Sequence, residues 1–89
     1  MYYQRDIIEY NVMLNDGKML PICGLIISPD CNNRHEVTIC RVSRDMSVFN
    51  PLYHFHLTDD MLLRPLDTPC YITRGLERIE WPNDRITRR

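Results

Sequence analysis

The segment spanning residues 7–28 constrains the fold more than any other. Ile8, Tyr10, Val12 and Leu14 alternate with their neighbours, Asn15-Asp16-Gly17-Lys18 interrupts them, and a second apolar run covers residues 19–28. A period of two is that of a strand with one face buried. Asp-Gly between two such runs favours a tight reversal, because glycine, and less readily Asn or Asp, tolerates positive φ. The pattern predicts a β-hairpin. Gly24, inside the second run, predicts a bulge or a sharp bend, and Pro29-Asp30 ends the strand.

Composition extends this inference along the chain. There is no alanine and only one Gln and one Lys, while Ile, Val, Thr and Tyr recur; helix is therefore the minority element. A strand is expected over residues 37–42 with both faces partly buried. Another is expected over 52–57, with Tyr53, Phe55 and Leu57 on the buried side and Leu52, His54 and His56 opposite. Thr58-Asp59-Asp60 suits a helix start, but Pro65 limits it, so one short helix or 3₁₀ turn is expected over 58–63. Residues 70–73 and 77–81 give a last strand, or a hairpin around Arg74-Gly75, and 83–89 read as a polar, arginine-bearing tail. The fold class is mainly β: a small antiparallel barrel or strongly bent sheet of about five strands with one short helix. At 89 residues it forms a single domain over 1–89.

A net charge of -1 and a pI near 6.3 exclude a global positive field of the kind that drives non-specific nucleic-acid binding. The longest apolar run, residues 20–27, is broken by Pro21 and Gly24 and falls far short of the roughly 20 residues that span a bilayer, so no membrane partner is expected. The N-terminal residues meet charge before any apolar stretch, unlike a secretory signal, and a cytoplasmic location is the expectation. Cys23, Cys31, Cys40 and Cys70 lack CxxC spacing and are expected as free thiols there; in an exported chain three pairings would stay open.

His54-Phe55-His56 places two imidazoles two apart on a strand, a pair that can reach one metal ion, with Cys31, His35, Cys40 or Asp59 as further ligands. Gly17, Gly24 and Gly75 are too scattered for a phosphate loop, and no paired-carboxylate or HExxH arrangement occurs. No cysteine sits in a nucleophile signature, so no catalytic residue and no cofactor is expected. Ten of the eleven basic residues are arginine, whose planar fork suits partner carboxylates and interfaces. Tyr2, Tyr3, Arg74, Arg78, Trp81 and Arg85 are the candidate partner-binding residues. The function expected is a non-catalytic protein-binding module that uses an exposed sheet edge, aromatic and arginine residues, with another protein as partner. Its profile is that of small stand-alone inhibitors or adaptors of phages and mobile elements, such as anti-CRISPR or antirestriction proteins.

Val12-Met13-Leu14-Asn15-Asp16-Gly17, followed by Gly24 and Asp30, resembles the first signature of Sm-like RNA-binding barrels. Ile72-Thr73-Arg74-Gly75 with Ile79 resembles the second. The resemblance implies a homo-oligomeric ring that binds RNA, with Asn32 or Asn33 lining a nucleotide pocket together with Arg74 and Gly75. An RNA-binding oligomer and a small metal-binding protein using His54 and His56 are thus the two alternatives to the protein-binding module.

Overall fold

A computed structural model describes residues 2–81 and 86–88, with Asn32 and 86–88 described by backbone alone. The hairpin is present as β1 (Ile7–Met13) and β2 (Met19–Ile26). Its loop is Asn15-Asp16-Gly17. Leu14 N–H donates to the Lys18 carbonyl at 2.8 Å and Gly17 N–H to the Leu14 carbonyl at 2.9 Å, with Gly17 at φ 84°. That left-handed position is the one a three-residue loop of this type reserves for glycine. The Asp16 carboxylate accepts the Lys18 N–H at 2.9 Å and fixes the tip.

Four more strands follow among the described residues: β3 (Glu36–Ser43), β4 (Phe55–Leu57), β5 (Cys70–Glu80) and β6 (Ile86–Arg88). They form one antiparallel sheet in the order β4-β5-β3-β2-β1-β6. The two ends do not pair, so the chain is a bent open sheet and not a closed barrel. The stretch read as a polar tail supplies β6, which pairs with Ile8–Tyr10 of β1. Residues 70–80 are one strand, with Arg74-Gly75 in its interior and not at a hairpin. The irregularities expected at Gly24 lie instead in the β3–β5 ladder, between Cys40 and Arg41 and between Arg41 and Val42. Gly24 itself sits in regular ladders, and its reason is closeness: a Cβ there would stand 2.8 Å from Ile39 Cδ1 and 3.3 Å from Tyr10 Cε1.

The sheet is buried on both faces. On one, Ile8, Tyr10, Ile26, Val37 and Ile39 pack with Cys31 and Trp81; on the other, Ile7, Leu25, Val42, Leu57, Leu62 and Cys70 pack together. The first is closed by Tyr2 and Trp81, whose rings meet edge to face at 5.0 Å. The second lies under the segment after β4, which begins with a 3₁₀ turn, Asp59–Met61, the shorter of the two forms expected there. This cover is tied to the N-terminal turn: Leu63 N–H donates to the Arg5 carbonyl at 3.1 Å, and Arg64 Nε lies 3.5 Å from the buried Asp6 carboxylate. Arg5 takes φ 71° to make these connections, and its own N–H donates to Ile26 O at 2.8 Å. No described helix is long and apolar enough to cross a membrane.

The expected strand over 52–57 shrinks to three residues, and its aromatic face is not buried. Tyr53 is 79% exposed and Phe55 54%; Leu57 alone of that face enters a core. The cause is Asn50. Its carbonyl accepts from Tyr53 N–H (3.0 Å) and His54 N–H (2.8 Å), its side chain accepts from Leu52 N–H (2.9 Å), and its own N–H donates to His54 Nδ1 (3.0 Å). This knot, followed by Pro51, turns the chain away before it can run beside β5.

Candidate functional site

Because β4 is so short, it covers only Cys70–Ile72 of β5. No described strand pairs with β5 from Thr73 to Glu80 on that side. Which backbone groups face the opening follows from the ladder on the other side. Ile27 N–H donates to the Thr38 carbonyl at 2.9 Å, so Thr38 faces β2, and its neighbours Val37 and Ile39 face β5. Their partners Ile79 and Glu77 face back toward β3. By the strict alternation of an antiparallel ladder, Leu76, Arg78 and Glu80 turn their N–H and C=O groups outward. Trp81 N–H, donated to His35 O at 2.5 Å, follows the same parity.

The side chains along this edge divide between the two faces. Leu76, Arg78 and Glu80 share one face, paired with Cys40, Thr38 and Glu36 of β3. Leu76 is 74% exposed, and neither an ion pair nor a hydrogen bond engages Arg78 among the described residues. On the other face Glu77 receives Arg41 through two hydrogen bonds, Nε at 2.7 Å and a terminal nitrogen at 3.0 Å. The Arg41 hydrogen bonds hold the Glu77 carboxyl below the usual carboxylate range, aided by the charge of Arg74, and the same pair pushes the Arg41 pKa up. Tyr10 hydroxyl is buried beside this pair and within reach of Arg41, and burial raises its pKa. Where the open edge begins, the exposed Phe55 side chain forms an apolar shoulder, because Phe55 stands opposite Ile72, and Leu52 and Tyr53 before it in the chain are exposed as well.

Of the residues singled out in the sequence, Arg74 and Arg78 lie on this edge. Trp81, expected at a partner surface, is 4% exposed and closes a core with half-buried Tyr2. Tyr3 is exposed, with the Arg64 guanidinium 6.0 Å from its ring. Arg85 lies outside the described residues. Asn33 lines a groove of about 570 Å³ with Arg34, Thr38 and Arg78, whereas Arg74 and Gly75 do not line it. Asn33 donates to Asp30 Oδ1 at 2.7 Å, and Asn32 belongs to the same 3₁₀ turn.

His54 and His56 both meet the Phe49 ring, with centroids 6.1 Å away in each case, and His54 stacks on Tyr71 at 4.9 Å. His54 Nδ1 is occupied as an acceptor by Asn50. Among the described residues no group of three or more His, Cys, Asp or Glu gathers where a metal ion could sit. All four cysteines are free thiols. Burial raises the pKa of Cys31, Cys40 and Cys70, the opposite of what a nucleophile requires.

Sequence reasoning missed Leu76 and the apolar shoulder. Asn50-Pro51 was the available signal, since a turn there shortens β4 and leaves β5 uncovered. Comparison with protein-family models, with curated proteins and with solved structures finds no match for this chain.

Proposed function

We propose that the chain is a non-catalytic protein-binding module that takes up an extended segment of another protein along the open edge of β5. The observation that carries this is the edge itself: Thr73 to Glu80 without a neighbouring strand among the described residues, exposed Leu76 at its centre and an apolar shoulder at one end. Strand addition of this kind draws affinity from main-chain hydrogen bonds and selectivity from alternate side chains. Arg74 and Arg78 add the planar donors that interfaces favour. A small sheet built this way suits an inhibitor or an adaptor, acting by occupying a partner's strand.

Site-specific photocrosslinking tests this. A benzophenone amino acid at Leu76, in the cell that makes the protein, is expected to yield one discrete adduct with another protein. The same group at Asp16, on the hairpin tip, is expected to yield none, and Arg78→Pro, which removes an outward N–H, combined with the probe at Leu76 should weaken the adduct. Equal adducts at both positions would reject the edge as the site. A ring-sized species carrying excess absorbance at 260 nm in light scattering would put RNA in the partner's place.

A further inference from the structure

The charges along the open edge carry the reading one step further, to the chemistry of what binds there; this step rests on strand addition at β5. Leu76, Arg78 and Glu80 present both their outward backbone groups and their side chains on one face. An added antiparallel strand therefore sets one of its residues directly opposite each of them, close enough for cross-strand pairs to discriminate. Among the described residues Arg78 makes no ion pair or hydrogen bond, although Glu36 lines the same groove, and Leu76 is largely exposed. Glu80 stands directly opposite Glu36 on its other side, a like-charge pair that a cation would relieve. The remaining face selects little, because the Glu77 carboxylate is already held by Arg41.

A second copy of the chain fits this edge poorly. Two β5 edges paired about a two-fold axis with their faces aligned put Glu77 opposite Glu77, Arg78 opposite Arg78 or Glu80 opposite Glu80, depending on register, and a register centred on Leu76 runs into the irregular stretch beside Arg41. Beyond that stretch only the register that sets Arg78 opposite Glu80 avoids like charges. It overlaps Arg78–Glu80 alone before Pro82, which has no N–H to give, and leaves Leu76 bare. So short a contact is far from the roughly 800 Å² per partner of a stable dimer.

We infer that the occupant is a strand of a different protein carrying, at alternate positions from its N-terminal end, a basic, an acidic and an apolar residue, which meet Glu80, Arg78 and Leu76 respectively.

Two blocked heptapeptides test this on the intact ¹⁵N-labelled protein: Thr-Lys-Thr-Glu-Thr-Val-Thr and its charge-inverted form Thr-Glu-Thr-Lys-Thr-Val-Thr. Titration to millimolar concentration is expected to move the Leu76, Arg78 and Glu80 amide signals, with the first peptide binding about tenfold more tightly at low salt. Arg78→Glu, an exposed change whose fold the same spectrum verifies, should narrow or reverse that preference. Equal binding of both peptides at these amides would overturn the charge pattern while leaving strand addition in place. No movement at these amides with either peptide would overturn both. Movement on concentrating the protein alone would assign the edge to a second copy, and movement with a uridine-rich oligonucleotide but neither peptide would assign it to RNA.

Discussion

At Gly24 a missing side chain is a packing requirement. A Cβ would meet Ile39 Cδ1 at 2.8 Å in the buried layer where Tyr10 also closes in, so Gly24→Ala is expected to destabilise the fold by about 1–3 kcal/mol through overpacking. Ile39→Val removes the methyl concerned. In that background the same Gly24→Ala change should cost less than half as much, a coupling that a double-mutant cycle of urea midpoints measures directly. The Arg41–Glu77 pair makes a different contribution. Both side chains are about a quarter exposed, and Glu77→Gln should cost about 1 kcal/mol at neutral pH. Because the folded Glu77 pKa is depressed by Arg41, this stability is fully present above the ordinary glutamate pKa and is lost as pH falls through the lower folded value. The gap between Glu77→Gln and the parent protein should accordingly narrow as urea unfolding is repeated at successively lower pH below the ordinary glutamate pKa.

Among the elements, the β1–β2 hairpin reaches past the sheet, since β3 pairs only with Cys23–Ile26 of β2. Its outer part leaves Met13, Leu14, Met19 and Leu20 exposed. Lys18 and Ile26 direct their backbone groups to the β1 side, so by alternation Pro21 faces the vacant side of β2 and offers it no N–H. Proline at an unpaired edge blocks strand addition. Pro21→Thr should restore a donor and raise concentration-dependent association, read as a rise in mass by light scattering; an unchanged monomer would show that the arm is protected otherwise. The hairpin, β3 and the 3₁₀ turn were legible in the sequence because their signals are local: alternation, Asp-Gly, a capping threonine before Pro65. The length of β4 and the continuity of β5 were not. Tyr53 and Phe55 alternate as a buried strand does, but the Asn50 turn decides where they point. Arg74-Gly75 has the composition of a turn, yet pairing with β3 carries the strand through it. For the site, the arginines were visible and the open edge was not, since an edge is defined by the absence of a neighbour.

The whole molecule is held together by contacts between distant parts of the chain. β5 pairs along β3 through eight positions from Glu36–Glu80 to Ser43–Tyr71, and β6 returns to β1 at the far end. Loop-closure entropy must be met before these ladders form, so folding is expected on the slow side for a small domain, in about milliseconds to seconds. Trp81, buried against Tyr2 in one of the two cores, makes stopped-flow fluorescence the natural probe, and a microsecond phase carrying the full amplitude would contradict this order of events.

Burial on both faces also bears on how this sheet finds its alignment. In most half-exposed sheets a one-residue slip turns an apolar row out to water, and that penalty fixes the pairing. Here both rows of β2 are apolar, and Leu25 and Ile26 are both buried, so a one-residue slip of β2 would exchange one apolar row for another. The tip loop and Gly24 are what distinguish the correct alignment: only with Gly24 opposite Ile8 does the position without a side chain fall where Ile39 and Tyr10 converge. Gly24 thus works as an index mark for the ladder, and substitutions there should broaden the set of alignments the hairpin samples as well as lower the stability of the native one.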